Sequence, residues 1–234
     1  MTVEKIAVVT GVGPGTGQAI VRRLVENGYR VAMLARNAER LAELQREQSG
    51  AFAYPVDVSD CAALLQTLDR IESELGTPQV LIHNAVGGSF GNFLEVDPAV
   101  LEQNFQTNVM AFLHLARRLA PAMVAAGNGV MIATGNTSAW RGKKQFAGFA
   151  PTKAAQRILA ESIARELGPQ GIHVAYLTID AVIDVAWARK RFPDAPEGFF
   201  IKPIDIADEI MHLVEQPKGS WSFNAEVRPY LENW

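Results

Sequence analysis

Residues Lys5 to Gly17 read KIAVVTGVGPGTG, and their reading decides the fold. Ile6 to Val9 is an apolar run of the kind buried in a parallel sheet. Gly11, Gly13, Gly15 and Gly17 follow at once, with Pro14 and Thr16 among them. From Gln18 onward, Ile20, Val21, Leu24 and Val25 fall on one helical face. Strand, glycine turn and helix, in that order, set a diphosphate against the first turn of the helix, where unpaired N–H groups and the dipole attract an anion. Glycine is needed because the chain turns tightly and a Cβ would hold the phosphates off. Pro14 stiffens the loop and removes an N–H that no helix requires. An ordinary glycine-rich turn is the plainer account, but the flanking strand and helix favour a dinucleotide site.

Working outward, 234 residues suit one α/β domain spanning 1–234. A hydrophobic share of 48% and a charged share of 20% are ordinary for a globular protein. The net charge of −3 gives no reason to expect nucleic acid or an anionic membrane as partner. Cys61 is the only cysteine, so no internal disulfide forms, and it reads as a small residue at a helix start. No histidine pair has metal spacing, so no metal is expected. A strand begins by Ile6 with Glu4 ahead of it, so no leader is expected, and no apolar run reaches spanning length. The expectation is a soluble cytoplasmic protein with a small-molecule substrate.

Strands and helices alternate along the chain. Strands are expected at Arg30–Ala35, Ala51–Val56, Gln79–His83, Gly129–Thr134, Ile172–Thr178 and Phe223–Val227. Helices are expected at Ala38–Gln48, from a cap at Ser59 or Asp60 to Leu75, from an Asp97 cap and Pro98 to about Ala125, at Phe146–Leu167, and from an Asp205 cap to Val214. Repeated βαβ units predict a single doubly wound (Rossmann) domain, a parallel sheet of about seven strands with helices on both faces and the order 3-2-1-4-5-6. Ligands then sit at the carboxyl ends of the strands, near the switch between the first and the fourth.

The end of the second strand reads the adenosine ribose, where a carboxylate would bond both hydroxyls and repel a 2′-phosphate. Here the strand ends Met33-Leu34-Ala35-Arg36-Asn37, with no carboxylate. Arg36 offers a planar, permanently charged fork for a phosphate, so NADP is preferred to NAD. Otherwise Arg36 is a solvated charge at a helix start. Asp57, followed by Val58 after the third strand, is placed to accept from the adenine amino group or to serve as a turn residue.

With Thr10-Gly11-x-x-x-Gly15-x-Gly17, Asp57, Asn84-Ala85, Asn108 and Lys153 on the page, the chain resembles the short-chain dehydrogenase/reductase family over its whole length. The resemblance implies that Asn108 holds a water in a proton relay. It implies too that Lys153 is the active-site lysine and bonds the nicotinamide ribose. The departures are as informative. The family's acid is a tyrosine four residues before that lysine, where this chain has Phe149. The family's carbonyl-polarising serine corresponds to Asn136, and its Pro-Gly and later threonine after the sixth strand to Ile179-Asp180 and Asp184. Phe149 and Lys153 are expected on one helical face. A phenol there would exchange a proton near neutrality, and phenylalanine has none to exchange. Lys153, Thr137, Ser138, Asp180 and Asp184 are the candidate substitutes, and Asn136 can still donate to a carbonyl oxygen. The resemblance extends to an atypical subgroup with Phe at this position and a similar chain end.

Residues 184–215 fall where the family's mobile substrate lid lies, and Trp187, Phe192, Phe199 and Phe200 there favour an apolar or ring-bearing substrate. Gly87, Gly88 and Gly91 give the opposite wall freedom to move. Helices 98–125 and 146–168 resemble the family's dimer pair, and Trp221, Tyr230 and Trp234 its second interface. A homodimer or homotetramer is expected. Two functions compete: an NADP-dependent carbonyl reductase or alcohol dehydrogenase with an altered proton donor, and a module that binds NADP(H) without turnover.

Overall fold

The computed structural model describes residues 4–232, and Trp234 lies outside the described residues. The elements in chain order are β1 (Lys5–Thr10), α1 (Thr16–Glu26), β2 (Tyr29–Ala35), α2 (Ala38–Glu47), β3 (Ala51–Pro55), α3 (Cys61–Leu75) and β4 (Val80–His83). They continue with α4 (Pro98–Phe105), a π-helical segment (Gln106–Met110), α5 (Ala111–Ala126), β5 (Gly129–Gly135), α6 (Ala150–Leu167) and β6 (Ile172–Ile179). The chain closes with β7 (Val182–Ile183), α7 (Ala186–Arg191), β8 (Phe200–Ile201), α8 (Pro203–Glu215) and β9 (Asn224–Val227).

Seven strands form one parallel sheet in the order β3-β2-β1-β4-β5-β6-β9. This is the expected doubly wound sheet, extended at one edge by β9. Apolar residues on both sheet faces drive helices onto both. On one face Leu64, Leu68, Phe112, Leu115 and Tyr176 join the core, and on the other Ile20, Leu24, Leu41, Ile206 and Ile210. Each such fully buried side chain contributes roughly 1.5–3 kcal/mol through removal of apolar surface from water.

Several local expectations are corrected. The helix expected from 98 to 125 is a rod of 98–126 interrupted by the π segment at 106–110. By length and apolar composition this rod could cross a membrane, against the expectation of no such run, yet Phe112, Leu115, Leu119 and Met123 are buried on the sheet. The helix expected from Phe146 starts at Ala150, with Phe149 as its N-cap residue. Pro151 in its first turn fits a start there, because the ring needs no N–H partner at that position. Asp205 lies in the first turn of α8, which Lys202 caps. Asp60 caps α3 by accepting from the Ala63 amide, and Asp97 caps α4 by accepting from Ala99. The segment 184–215 divides: β8 pairs with β7 in a separate two-stranded sheet, with α7 between them in the chain, whereas α8 packs on α1 with Ile206, Ala207 and Leu213 buried.

Candidate active site

The carboxyl edge of the sheet opens into a cleft of about 770 Å³ lined by Gly11, Gly13, Pro14, Thr16 and Gly17 at one end and by Arg36, Asn37, Arg40, Asp57 and Val58 at the other. Asn84 and Ala85 form its third side. The glycines are dictated by space. A Cβ on Gly11, whose φ is +70°, would meet Ala85 backbone atoms at 2.5 Å, and one on Gly17 would overlap the Gly11 carbonyl. Gly13 faces open space. Thr16, at the first position of α1, buries a hydroxyl that has no hydrogen-bond partner among the described residues. A buried orphan hydroxyl beside a bare helix N-terminus is the arrangement an oxygen-rich anion completes.

The cradle is braced from β4. Asn84 Nδ2 donates to the Gly11 carbonyl at 3.0 Å, and its Oδ1 accepts from Thr134 Oγ1 at 3.2 Å. The Ala85 amide donates to Thr10 Oγ1, which in turn lies 3.0 Å from His83 Nδ1. His83 Nε2 reaches the Thr107 carbonyl at 3.2 Å, which makes Nε2 the donor and Nδ1 the acceptor. Burial, assisted by Lys153, lowers the His83 pKa to about 3, so the ring is a neutral strut.

Beyond the end of β2, Arg36 is exposed, with its guanidinium 4.0 Å from Asp57. Asp57 Oδ1 accepts from the Ser59 amide at 3.0 Å and hydroxyl at 2.7 Å. Partial burial works to raise the Asp57 pKa, but the Ser59 bonds and Arg36 outweigh it and hold the carboxyl below its usual range. The turn role of Asp57 is therefore real, and its second oxygen faces Arg36. Arg40, in the first turn of α2, was not singled out from sequence; the helix start at Ala38 brings this second guanidinium to the same corner.

A second cluster, joined to the cleft wall through Thr134, is built around Lys153 on α6. Its ammonium is 3% exposed and donates to the Thr134 carbonyl at 3.1 Å and to Gln156 Oε1 at 2.9 Å. Gln156 Nε2 donates to the Asn108 carbonyl at 2.8 Å. Gln156, absent from the sequence reading, thus joins Lys153 directly to Asn108, at the place where the resemblance puts a water. Asn108 is fully buried; its Nδ2 donates to the Gly87 carbonyl and to Thr152 Oγ1, each at 2.8 Å, and its Oδ1 accepts from the Gly87 amide. Burial pulls the Lys153 pKa down to about 7.

Phe149 is 5% exposed and its ring centroid lies 5.9 Å from Lys153 Nζ, so the two meet as expected even though Phe149 stands outside the helix. Phe90 and Phe146 cover the ring at 5.7 Å and 6.5 Å between centroids. The loop through Gly87, Gly88 and Gly91 is hydrogen-bonded to its surroundings. Gly91 donates to the Gln145 carbonyl at 3.0 Å, Gly87 is held by Asn108, and Asn104 Nδ2 donates to the Gly148 carbonyl at 2.8 Å. Asn136 Oδ1 caps a short turn by accepting from the Ser138 amide at 3.0 Å, which leaves its Nδ2 to donate elsewhere. Asp184 is not a free acid. It forms a two-point ion pair with Arg189 at 2.6 and 2.8 Å, and that guanidinium holds its carboxyl well below the usual range. Tyr176 is buried, its hydroxyl 3.4 Å from the Lys153 carbonyl, and burial raises its pKa.

The comparisons with known proteins agree with this architecture. The L-xylulose reductase of Bos taurus is 29% identical over 218 residues, covering 89% of this chain and 88% of that protein. A metagenomic short-chain oxidoreductase, solved in complex with NADP, matches at a TM-score of 0.84 and 30% identity over 97% of this chain and 98% of that one. The short chain oxidoreductase of Pseudomonas aeruginosa PAO1, solved with NADPH bound and described as containing an atypical catalytic center, matches at 0.86 and 25% identity over 97% and 96%. A model of the short chain dehydrogenase family matches residues 5–193. With sheet order, glycine cradle and buried lysine already in place, that match settles the lineage: the chain belongs to the short chain dehydrogenase family.

Proposed function

We propose that this protein is an NADP-dependent short-chain oxidoreductase that moves hydride between the nicotinamide and a small carbonyl or alcohol substrate, with an altered proton supply. The observation that carries the reading is the orphan Thr16 hydroxyl beside Gly11 and Gly17, where an added side chain would meet backbone. The two solved relatives that hold NADP and NADPH support it. Gly11, Gly13, Pro14, Gly15, Thr16 and Gly17 would hold the diphosphate, Arg36 with Arg40 the 2′-phosphate, and Asp57, Val58, Asn84 and Ala85 the adenosine side. NAD is the alternative, disfavoured by the missing carboxylate after β2.

When bound, the cofactor supplies or takes the hydride. The chain's own residues do the rest. Lys153 has one N–H left after Thr134 and Gln156 for a ribose hydroxyl, and Asn136 Nδ2 can donate to a developing oxyanion. Phe149 contributes shape and no proton. The enclosed Phe149 ring also favours a second reading, an NADP(H)-binding module without turnover. Residues 184–201 would close over the substrate, and α4 to α6 would pair copies into a homodimer or homotetramer.

The test is calorimetric titration with NADPH followed by NADPH consumption against a broad carbonyl panel. Binding together with turnover is expected. Restoring the hydroxyls with Phe149→Tyr and Asn136→Ser should raise carbonyl turnover about a hundredfold, the usual worth of a positioned acid. Tight binding with no turnover in the wild type would leave the module reading, and no binding would end both.

A further inference from the structure

We propose that this site takes a cationic carbon–nitrogen double bond, an iminium ion, as hydride acceptor in preference to a neutral carbonyl, with Asp180 as the anchor for its charge. The inference rests on the nicotinamide-dependent reading above and replaces its neutral carbonyl acceptor with a cationic one.

The first support is the scarcity of proton donors: Thr137 and Ser138 offer only weakly acidic alkyl hydroxyls, and the N–H that Lys153 has left serves the ribose. Hydride addition to a neutral carbonyl leaves an alkoxide that must be protonated as it forms. Phe149 has no O–H to give. Lys153 is turned onto Thr134 and Gln156, and the Gln156 carboxamide, bonded at both ends, fills the gap to the Asn108 carbonyl. An amide clamped in this way orients an ammonium but does not pass protons along as a water does. His83 is sealed by Thr10 and Thr107, and Asp184 is spent on Arg189.

The second support is the balance of the reaction. The hydride brings its electron pair to the C=N carbon, a C–H bond forms, and the C=N π pair becomes the nitrogen lone pair. The product is a neutral amine, the positive charge passes to the oxidised nicotinamide, and no proton is taken or released. A site without an acid loses nothing with such an acceptor.

The third support is an available carboxylate. Asp180 follows directly on β6, one strand over from the end of β5 that carries Asn136. It is half-buried, its amide is bonded to the Val227 carbonyl, and its carboxylate has no hydrogen-bond or ion-pair partner among the described residues. In the alternation of β6 it continues the face of Tyr176 and Thr178, the face bonded to Lys153 and Trp140. A carboxylate with no cation beside it is a favourable counter-charge for a positively charged acceptor. Lys153 does not fill that role: it is held by two other acceptors, and burial disfavours its charge.

The experiment has a binding arm and a reaction arm. In the first, the cofactor-free protein is titrated calorimetrically with N-methylisoquinolinium and with isoquinoline at a pH where the latter is neutral. The cation should bind at least about tenfold more tightly, and Asp180→Asn should remove that preference. In the second, N-methyl-dihydroisoquinolinium and the similarly sized ketone tetralone are offered with NADPH deuterated at the transferable position. Deuterium should appear at the former C=N carbon of the amine product, with tetralone reduced at least about tenfold more slowly. In Asp180→Asn the loss should fall on KM more than on kcat. Faster reduction of tetralone, or an iminium left untouched while NADPH binds, would overturn the inference and leave the oxidoreductase reading standing. So would an Asp180→Asn variant that changes only the NADP/NADPH affinity ratio, since the carboxylate would then serve the nicotinamide. Failure to bind NADPH at all would bring down both.

Discussion

The two ends of the cleft differ in what they are made of. The diphosphate end is built of backbone: glycines whose missing Cβ atoms make room, amides at the start of α1, and a carbonyl braced by Asn84. The end around Lys153 is built of side chains, with Asn108, Gln156 and Phe149 gathered about the ammonium. A backbone site tolerates changes of residue nearby as long as the turn keeps its shape. A side-chain site changes its chemistry with each substitution. In the proposed reading, dinucleotide recognition and proton supply are therefore separable, and the second can be rebuilt while the first stays fixed.

The comparison breaks most visibly at the backbone end. Gly17→Ala would drive a methyl into the Gly11 carbonyl, with no flexible neighbour to yield. NADPH affinity should fall on the order of a hundredfold, and the melting temperature with it, by titration and calorimetry. An unchanged affinity would show that the cradle is not shaped by that contact.

Lys153 sharpens the other end through pH. Its folded pKa of about 7 lies below the unfolded value near 10.4, so between those values the unfolded chain holds a proton that the folded chain has released. Stability should therefore rise with pH across that window, by on the order of a few kcal/mol, and level off below it. Lys153→Met should lack this slope in urea unfolding measured at a series of pH values. Equal slopes in both proteins would mean that the ammonium is better hydrated than its burial implies.

The smallest effect is expected at the adenosine tip. Arg36 is exposed, and Arg40 stands at the same corner to share its work. Arg36→Ala should reduce the NADPH/NADH affinity ratio about tenfold, the worth of one charge-assisted contact in water. No change in the ratio would remove the assignment of the 2′-phosphate to this corner.

Much of this was legible before the fold was known, for definite reasons. Sheet order follows from alternating βα units and their handedness, and the cradle from glycines between a strand and a helix. Asp97-Pro98 announces its helix because cap and proline are local signals. What stayed hidden depends on partners far along the chain. Gln156 sits on the inner face of α6, yet only the approach of the Asn108 carbonyl makes it a bridge. Asp184 looked like a spare acid until α7 brought Arg189 onto it. The late start of α6 follows from the pairing of Gly91 with Phe146, which holds the preceding residues out of the helix. Periodicity reports which face is buried and not what waits there.

The π-helical segment at 106–110 has a consequence for how this architecture can drift. One surplus residue in that turn sets the angular phase between α4 and α5. Excising a single residue there would restore a regular coil and swing everything upstream by about 100°, the advance of one residue in an α-helix. Asn104 would then leave Gly148, and the clasp between the two loops beside Phe149 would come undone. Length at that turn is therefore constrained alongside the identity of Asn108 within it: a one-residue gap there would have to be matched by a remodelled pocket.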